Sequence, residues 1–212
     1  MDAIALIGGG DHARVVLSIL KKLNRFRLVG YTDMKNTGSL SGIAYLGNDD
    51  RLSAAAVENE PLSAVLALGQ TGLGTQRWKL WSHLAGLRLL FPAVVSPDAI
   101  VNEGVAVGEA VVVMDGAVIN CGAAIGRGAI VNTNSTIEHD VSLADWVHVA
   151  PGATICGGSR IGRFSMVGAG ATVIQGIKVA EGCLIGAGAT VVKDLNEAGV
   201  YAGCPAIRLR KV

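Results

Sequence analysis

Aromatic side chains are scarce in this chain: Phe, Tyr and Trp together make 4% of 212 residues, although half of all residues are hydrophobic. The apolar content is therefore aliphatic and small, which disfavours a core built on bulky rings and favours stacked, sheet-like layers. Net charge is lacking too. Eighteen basic residues face 17 acidic ones and leave a formal charge of +1 with no Lys/Arg cluster, so the electrostatic footprint of a nucleic-acid or anionic-membrane partner is missing. No apolar run approaches the roughly 20 residues that a spanning helix requires, because polar residues or Gly interrupt each one. The opening MDAIALIGGG carries an acid at position 2 and runs into a Gly turn, unlike the basic start of a secretory leader, and the expected compartment is cytoplasmic. Cys121, Cys156, Cys183 and Cys204 stand far apart, without a C-x-x-C pair or matching His spacing. Neither a disulfide framework nor a zinc site is implied, and no metal is expected.

What is present follows two periods. Up to about residue 95, short aliphatic runs alternate with helical segments: strands are expected over 3–8, 27–33, 62–69 and 87–95, and helices over 11–23 and 75–84. Such alternation favours a small, Rossmann-like parallel α/β sheet, a first domain of residues 1–95. From residue 99 the chain cuts into sixteen hexads that end at Asp194 without an insertion. The third position of each is Val, Ile or Leu, from Val101 to Val191, and the first is small or aliphatic. Two inward positions per six make one side of a triangular coil, so 18 residues complete a turn of a parallel β-solenoid, the second domain (96–212, with its C-terminal tail). Gly or Asn at the fourth position (Asn102, Gly108, Asn120, Gly126, Asn132, Gly162, Gly168, Gly186) suits a corner that needs left-handed or otherwise tight backbone.

Within this aliphatic tract Glu138, His139 and Asp140 interrupt the pattern at one corner. Residues 18 apart stack at about 4.8 Å, which puts His139 in a column with Cys121, Gly157, Gln175 and Lys193. An outward imidazole beside a carboxylate can be held in one tautomer and act as a general base, and the Gly157 N–H one coil above can face a developing oxyanion. The same triplet also reads as a solvated polar corner, Glu138 in particular. Cys121 below His139 allows a covalent, ping-pong alternative. His148 lies in a different column, Val112, Ile130, His148, Met166, Leu184, which reads as an outward apolar stripe that a trimer would cover. Near the start, Gly8, Gly10 and Ala13 fit G-x-G-x-x-A after a strand, with Asp33 about 20 residues on. This is a weak dinucleotide fingerprint that makes an NAD enzyme one rival, though the unit offers only one mononucleotide-sized half.

The hexad tract resembles the hexapeptide-repeat acyltransferases, whose repeats wind into a left-handed β-helix. Together IGGGDHARVV, LALGQ, NTNSTIEHD and YAGCPAI resemble the sialic acid O-acetyltransferase and bacterial nucleotide-sugar N-acetyltransferase family. That resemblance implies His139 as general base with Asp140 as its partner, and acetyl-CoA as co-substrate near His148, Gly157, Gln175, Gly186 and Lys193. It implies that the first domain holds a nucleotide-linked amino sugar: Gly8, Gly10, Asp11 and His12 at the phosphates, Asp33 and Lys35 at the nucleoside, Gly69 and Gln70 closing the loop, and Asn120 at the sugar. Gln70 departs from the Asn or Asp common there, which leaves the base open. The implied activity is N-acetylation of a 4-amino-4,6-dideoxyhexose in glycan biosynthesis by a homotrimer. Sugar O-acetylation, a non-catalytic solenoid scaffold and a zinc hydratase are the alternatives, the last short of a third histidine on the solenoid.

Overall fold

The structure, a computed structural model, describes residues 1–36, 38, 40, 42–52, 62–87 and 89–211. Strands β1 (Asp2–Ile7), β2 (Phe26–Thr32) and β3 (Ser63–Leu66) form a parallel sheet in the order β2-β1-β3. Between β1 and β2 runs helix α1 (Asp11–Leu23), whose Ala13, Val16, Leu17 and Leu20 fall at helical spacing on one buried face. Asn24 stops it in the left-handed region with its N–H on the Leu20 carbonyl, and Lys21 and Lys22 complement the dipole in the last turn. Helix α2 (Thr75–Leu84) follows β3. The single strand expected over 87–95 is not formed. Leu90 makes only an isolated bridge to Ser63, Pro92 interrupts the segment, and Val94–Val95 (β4) leaves the first sheet to pair with Val112–Val113. The six-residue repeat therefore starts one hexad earlier than residue 99.

From β4 onward the chain winds into parallel coils with three sides, each strand pairing with the one 18 residues away. The first side carries Val94, Val112, Ile130, His148, Met166 and Leu184 outward. The second carries Ile100, Val118 and the threonines 136, 154, 172 and 190. The third carries Ala106, Ala124, Ser142, Arg160 and Lys178. Inside, first- and third-position side chains such as Val141, Ile137, Val149 and Ile155 stack in one aliphatic core. Fully burying each such side chain contributes about 1.5–3 kcal/mol. Beyond the last coil, Gly199–Ala202 continues the first side and Ile207–Arg210 folds back antiparallel on it.

Two expectations are corrected here. Left-handed backbone occurs at the sixth hexad position, at Asn134 (φ 54°), Asp140 (58°), Trp146 (61°) and Phe164 (62°) among others, not at the fourth. The fourth-position glycines serve close approach instead: a Cβ on Gly126 would lie 2.5 Å from the Ala144 carbonyl carbon, and one on Gly162 2.4 Å from the Glu181 nitrogen. Nor is the whole apolar stripe exposed. Val94, Val112, Met114 and Ile130 are buried in one cluster with Ile4 and Leu6 of β1 and Val16 and Leu20 of α1, so the chain's own N-terminal unit covers that part of the first side. Met166 and Leu184 higher up remain half-buried. A second contact joins the scarce aromatics: Trp81 of α2 lies 5.7 Å from Trp146, and Trp78 lies 5.8 Å from Phe164. Lys22 adds ion pairs to Asp98 (2.6 Å) and Asp115 (2.5 Å).

Candidate active site

His139 and Asp140 occupy the corner between the second and third sides. Asp140 takes left-handed backbone, and its carboxylate lies 2.9 Å from His139 Nδ1. An ionised carboxylate only accepts, so Nδ1 carries the proton and the Nε2 lone pair is left free. That nitrogen lies over Gly157, where a Cβ would come within 2.5 Å of it; on the coil below, a Cβ on Gly122 would come within 2.6 Å of Asp140 Oδ1. Glycine at these two positions leaves room for the pair. The Gly157 N–H donates to no described group, while its neighbour Gly158 donates to the His139 carbonyl. The corner thus presents an oriented base beside an open backbone donor. Gln175 and Lys193 continue the same column, both exposed. Glu138 is not merely solvated: half-buried, it accepts from Asn120 Nδ2 (3.0 Å), and Asn120 Oδ1 accepts from Asn102 (2.7 Å), a polar ladder running down the corner. Cys121 is an exposed free thiol whose carbonyl receives the Asp140 N–H.

A second constellation lies on the first side. Gly8 adopts φ +103°, and the Gly9 N–H donates to Asp33 Oδ2 at 2.7 Å, so one carboxylate oxygen closes the turn between β1 and α1. Gly10 is exposed with open space around it, and α1 begins there without a side-chain cap, which leaves free N–H groups suited to an anion. Asp11 and Lys35 are exposed nearby in sequence. His12 packs against Gly69 and is pushed down to about 4, first by burial and then by Arg77. Gln70 points inward: its Nε2 donates to the Gly72 carbonyl, and its main-chain oxygen accepts from His148 Nδ1 at 2.8 Å. The other nitrogen of His148 accepts from Asn132 at 3.0 Å. The pKa of His148, 5% exposed, is lowered to about 4, by burial foremost and against the pull of the Gln70 carbonyl.

A search of solved structures places these two constellations in context. The acetyltransferase domain of PglB from Neisseria gonorrhoeae FA1090 aligns over 99% of this chain and 100% of its own, at 33% identity and TM-score 0.90. The chain belongs to the hexapeptide-repeat nucleotide-sugar N-acetyltransferase family. By that membership it is an acyltransferase. PerB from Caulobacter crescentus, solved in complex with CoA and GDP-perosamine, aligns over 98% of this chain and 97% of its own, at 30% identity and TM-score 0.90. WeeI from Acinetobacter baumannii AYE, at 22% identity and TM-score 0.83 over 99% and 100%, shares the fold. Residues 3–76 match the PglD N-terminal domain. No curated protein sequence matches.

The structure of this N-acetyltransferase family member brings together some of the residues singled out in the sequence and separates others. His139, Asp140, Gly157, Gln175 and Lys193 share one corner, with Asn120 one coil below His139's. Gly186 stands at the corner between the first and second sides, where its N–H donates to the Tyr201 carbonyl. His148 is inside the chain rather than on an exposed stripe. Two residues were missed. Asn132, at the head of the NTN stretch, fixes His148, and Arg77 is a buried cation beside both histidines. No sequence signal singles out Arg77, since Lys79 and His83 stand in the same helical segment.

Proposed function

We propose that the protein transfers the acetyl group of acetyl-CoA to the amine of a nucleotide-linked amino sugar, a 4-amino-4,6-dideoxyhexose. The observation that carries this reading is the His139 Nδ1 to Asp140 Oδ2 contact, which leaves Nε2 free against Gly157. The neutral amine attacks the thioester carbonyl, His139 Nε2 removes its proton, and the Gly157 N–H stabilises the oxyanion. When the intermediate collapses, the C–S bond breaks and the imidazolium returns a proton to the departing CoA sulfur. Support for the two substrates comes from the relatives: the PglB domain has been solved with acetyl coenzyme A, and PerB with CoA and GDP-perosamine. Residues 1–95 then serve as the nucleotide-sugar unit, using Gly8, Gly10, Asp11, His12, Asp33, Lys35, Gly69 and Gln70, and residues 96–212 as the transfer unit. Acetyl-CoA lies along Gly157, Gln175 and Lys193. His148, both of whose nitrogens are engaged within the chain, supports the 69–72 loop.

The substrate turn and the base belong to different copies in this reading. The N-terminal unit covers the first side of the triangle, and His139 stands at the corner opposite that side. A sugar held on a chain's own turn faces away from its own base, so a neighbouring subunit of a cytoplasmic homotrimer completes the site. His139→Ala should lower kcat at least about 100-fold while circular dichroism and acetyl-CoA binding stay unchanged. Cys121→Ala should keep its rate with sequential kinetics; parallel double-reciprocal plots with a dead Cys121→Ala enzyme would establish the covalent route instead. The substrate is named by thermal shift with UDP-, GDP- and dTDP-linked amino sugars, and a base-stable amide in the product separates N- from O-acetylation.

A further inference from the structure

Six buried side-chain polar atoms lack a hydrogen-bond partner among the described residues, and four of them belong to three residues on or against the 69–77 segment: His12 Nε2, Gln70 Oε1, and Arg77 Nε and Nη2. Arg77, 3% exposed, reaches from the first turn of α2 towards the solenoid, where Nη1 donates to the Gly128 carbonyl at 2.6 Å. Its guanidinium carbon lies 5.9 Å from the Trp146 ring, and no described carboxylate pairs with it. Buried cations are ordinarily paired, and burial lowers the pKa of this one to about 10. Nε and Nη2 form the side edge of the guanidinium, the edge whose two parallel N–H groups match two oxygens of a phosphate or carboxylate.

Arg77 also lines a cavity of about 240 Å³ together with Gly69, Gln70, Thr71, Gly72 and Thr75. It is smaller than the ~300–1,000 Å³ of pockets that enclose drug-sized ligands, so it suits one phosphate group with its waters rather than a whole nucleotide. The N-terminus of α2 opens onto it, with Gly74 as N-cap and no side-chain cap. Among the described residues the lining carries no acid. We infer that this cavity is an oxyanion site in which the side edge of Arg77 binds phosphate oxygens, with His12 Nε2–H and the first N–H groups of α2 as further donors and Gln70 Oε1 receiving a bound water. The histidines fit this chemistry, because His12 and His148 stay neutral beside Arg77 and leave its charge to the ligand. Phosphate oxygens have two sources here, free inorganic phosphate or pyrophosphate and the diphosphate of the substrate; the second rests on the nucleotide-sugar reading above.

The test uses the full-length protein at fixed ionic strength. Phosphate and pyrophosphate, but not chloride, should raise Tm by about 2–4 °C once their concentration is several-fold above Kd. Arg77→Lys, which keeps the charge but loses the fork, should weaken that binding at least about tenfold. Where the variant does not fold, the wild-type imidazole resonances of His12 and His148 decide, since they should move saturably with phosphate. Competition by a nucleotide-linked sugar assigns the site to the diphosphate, and simultaneous binding assigns it to free phosphate; both support the site. Absence of a phosphate-specific response in Tm and in the imidazole signals, or full retention of binding by Arg77→Lys, overturns it. Acetyl transfer is assayed in parallel. Turnover without a phosphate response removes the oxyanion site alone, and a phosphate response without turnover removes the acetyltransferase reading alone.

Discussion

His148 shows what burial does to a group that would otherwise titrate near neutrality. In the folded chain its ring stays neutral down to about 4, because burial and, after it, the Arg77 charge disfavour the imidazolium against the pull of the Gln70 carbonyl. In the unfolded chain it takes a proton below about pH 6.5. Between those values the unfolded state binds more protons, so the contribution is complete above pH 6.5 and is lost as pH falls towards 4. A displacement of this size corresponds to about 3 kcal/mol, and His12 acts in the same direction. His148→Gln should therefore lower stability at pH 7 by about 1–2 kcal/mol through the altered contacts to Gln70 and Asn132. It should also flatten the fall in stability between pH 6.5 and 4, by up to one proton in the linkage slope. Urea midpoints measured across that range check both effects; an unchanged slope would mean that His148 already titrates normally in the native protein.

At the scale of the element, the coil depends on two kinds of glycine for different reasons. Gly126→Ala would drive a Cβ into the backbone of the next coil and should cost about 1–3 kcal/mol as an overpacking change. Gly152→Ala meets nothing within 4 Å, yet sits at φ +67° and should cost about 1–2 kcal/mol through backbone strain alone. A change on the next coil separates them: Ala144→Gly should relieve nothing at Gly126, since the clash is with main chain. Chemical denaturation of the two variants measures the difference. Much of this architecture was legible in the sequence, because a period of six with aliphatic first and third positions leaves one way to bury both. The corner of His139 and Asp140 was legible as a Glu-His-Asp run at the outward positions of a hexad that otherwise keeps the period. The fourth-position glycines were misread because sequence shows that a side chain is missing, and not whether dihedral freedom or clearance requires it. The 87–95 segment was misread because its apolar run suits either sheet, and only pairing partners choose between them. Arg77 meets Gly128 across 51 residues of chain and Gln70 meets His148 across 78, and no local pattern announces such meetings.

For the whole molecule, a first side already occupied by the N-terminal unit and a base at the opposite corner give a test that needs no structure of the assembly. Chains carrying His139→Ala and chains carrying Gly8→Val, which blocks the substrate turn at its φ +103° residue, should each be inactive alone. Mixed by unfolding and joint refolding, they should recover part of the wild-type rate, because some interfaces then pair an intact turn with an intact base. Absence of recovery in mixed oligomers would place turn and base on the same chain. The coils carry one further consequence. Since every level repeats after 18 residues with the same triangular section, a change of length that keeps all three sides in place comes in whole steps of about 4.8 Å. A gain or loss of one hexad keeps the inward positions inward but moves every later segment to the next side. A coil duplicated between Gly176 and Ile177 would leave His139, Asp140 and Gly157 untouched and lengthen only the solenoid above them, so under the proposed function the reach offered to acetyl-CoA is altered independently of the chemistry at His139.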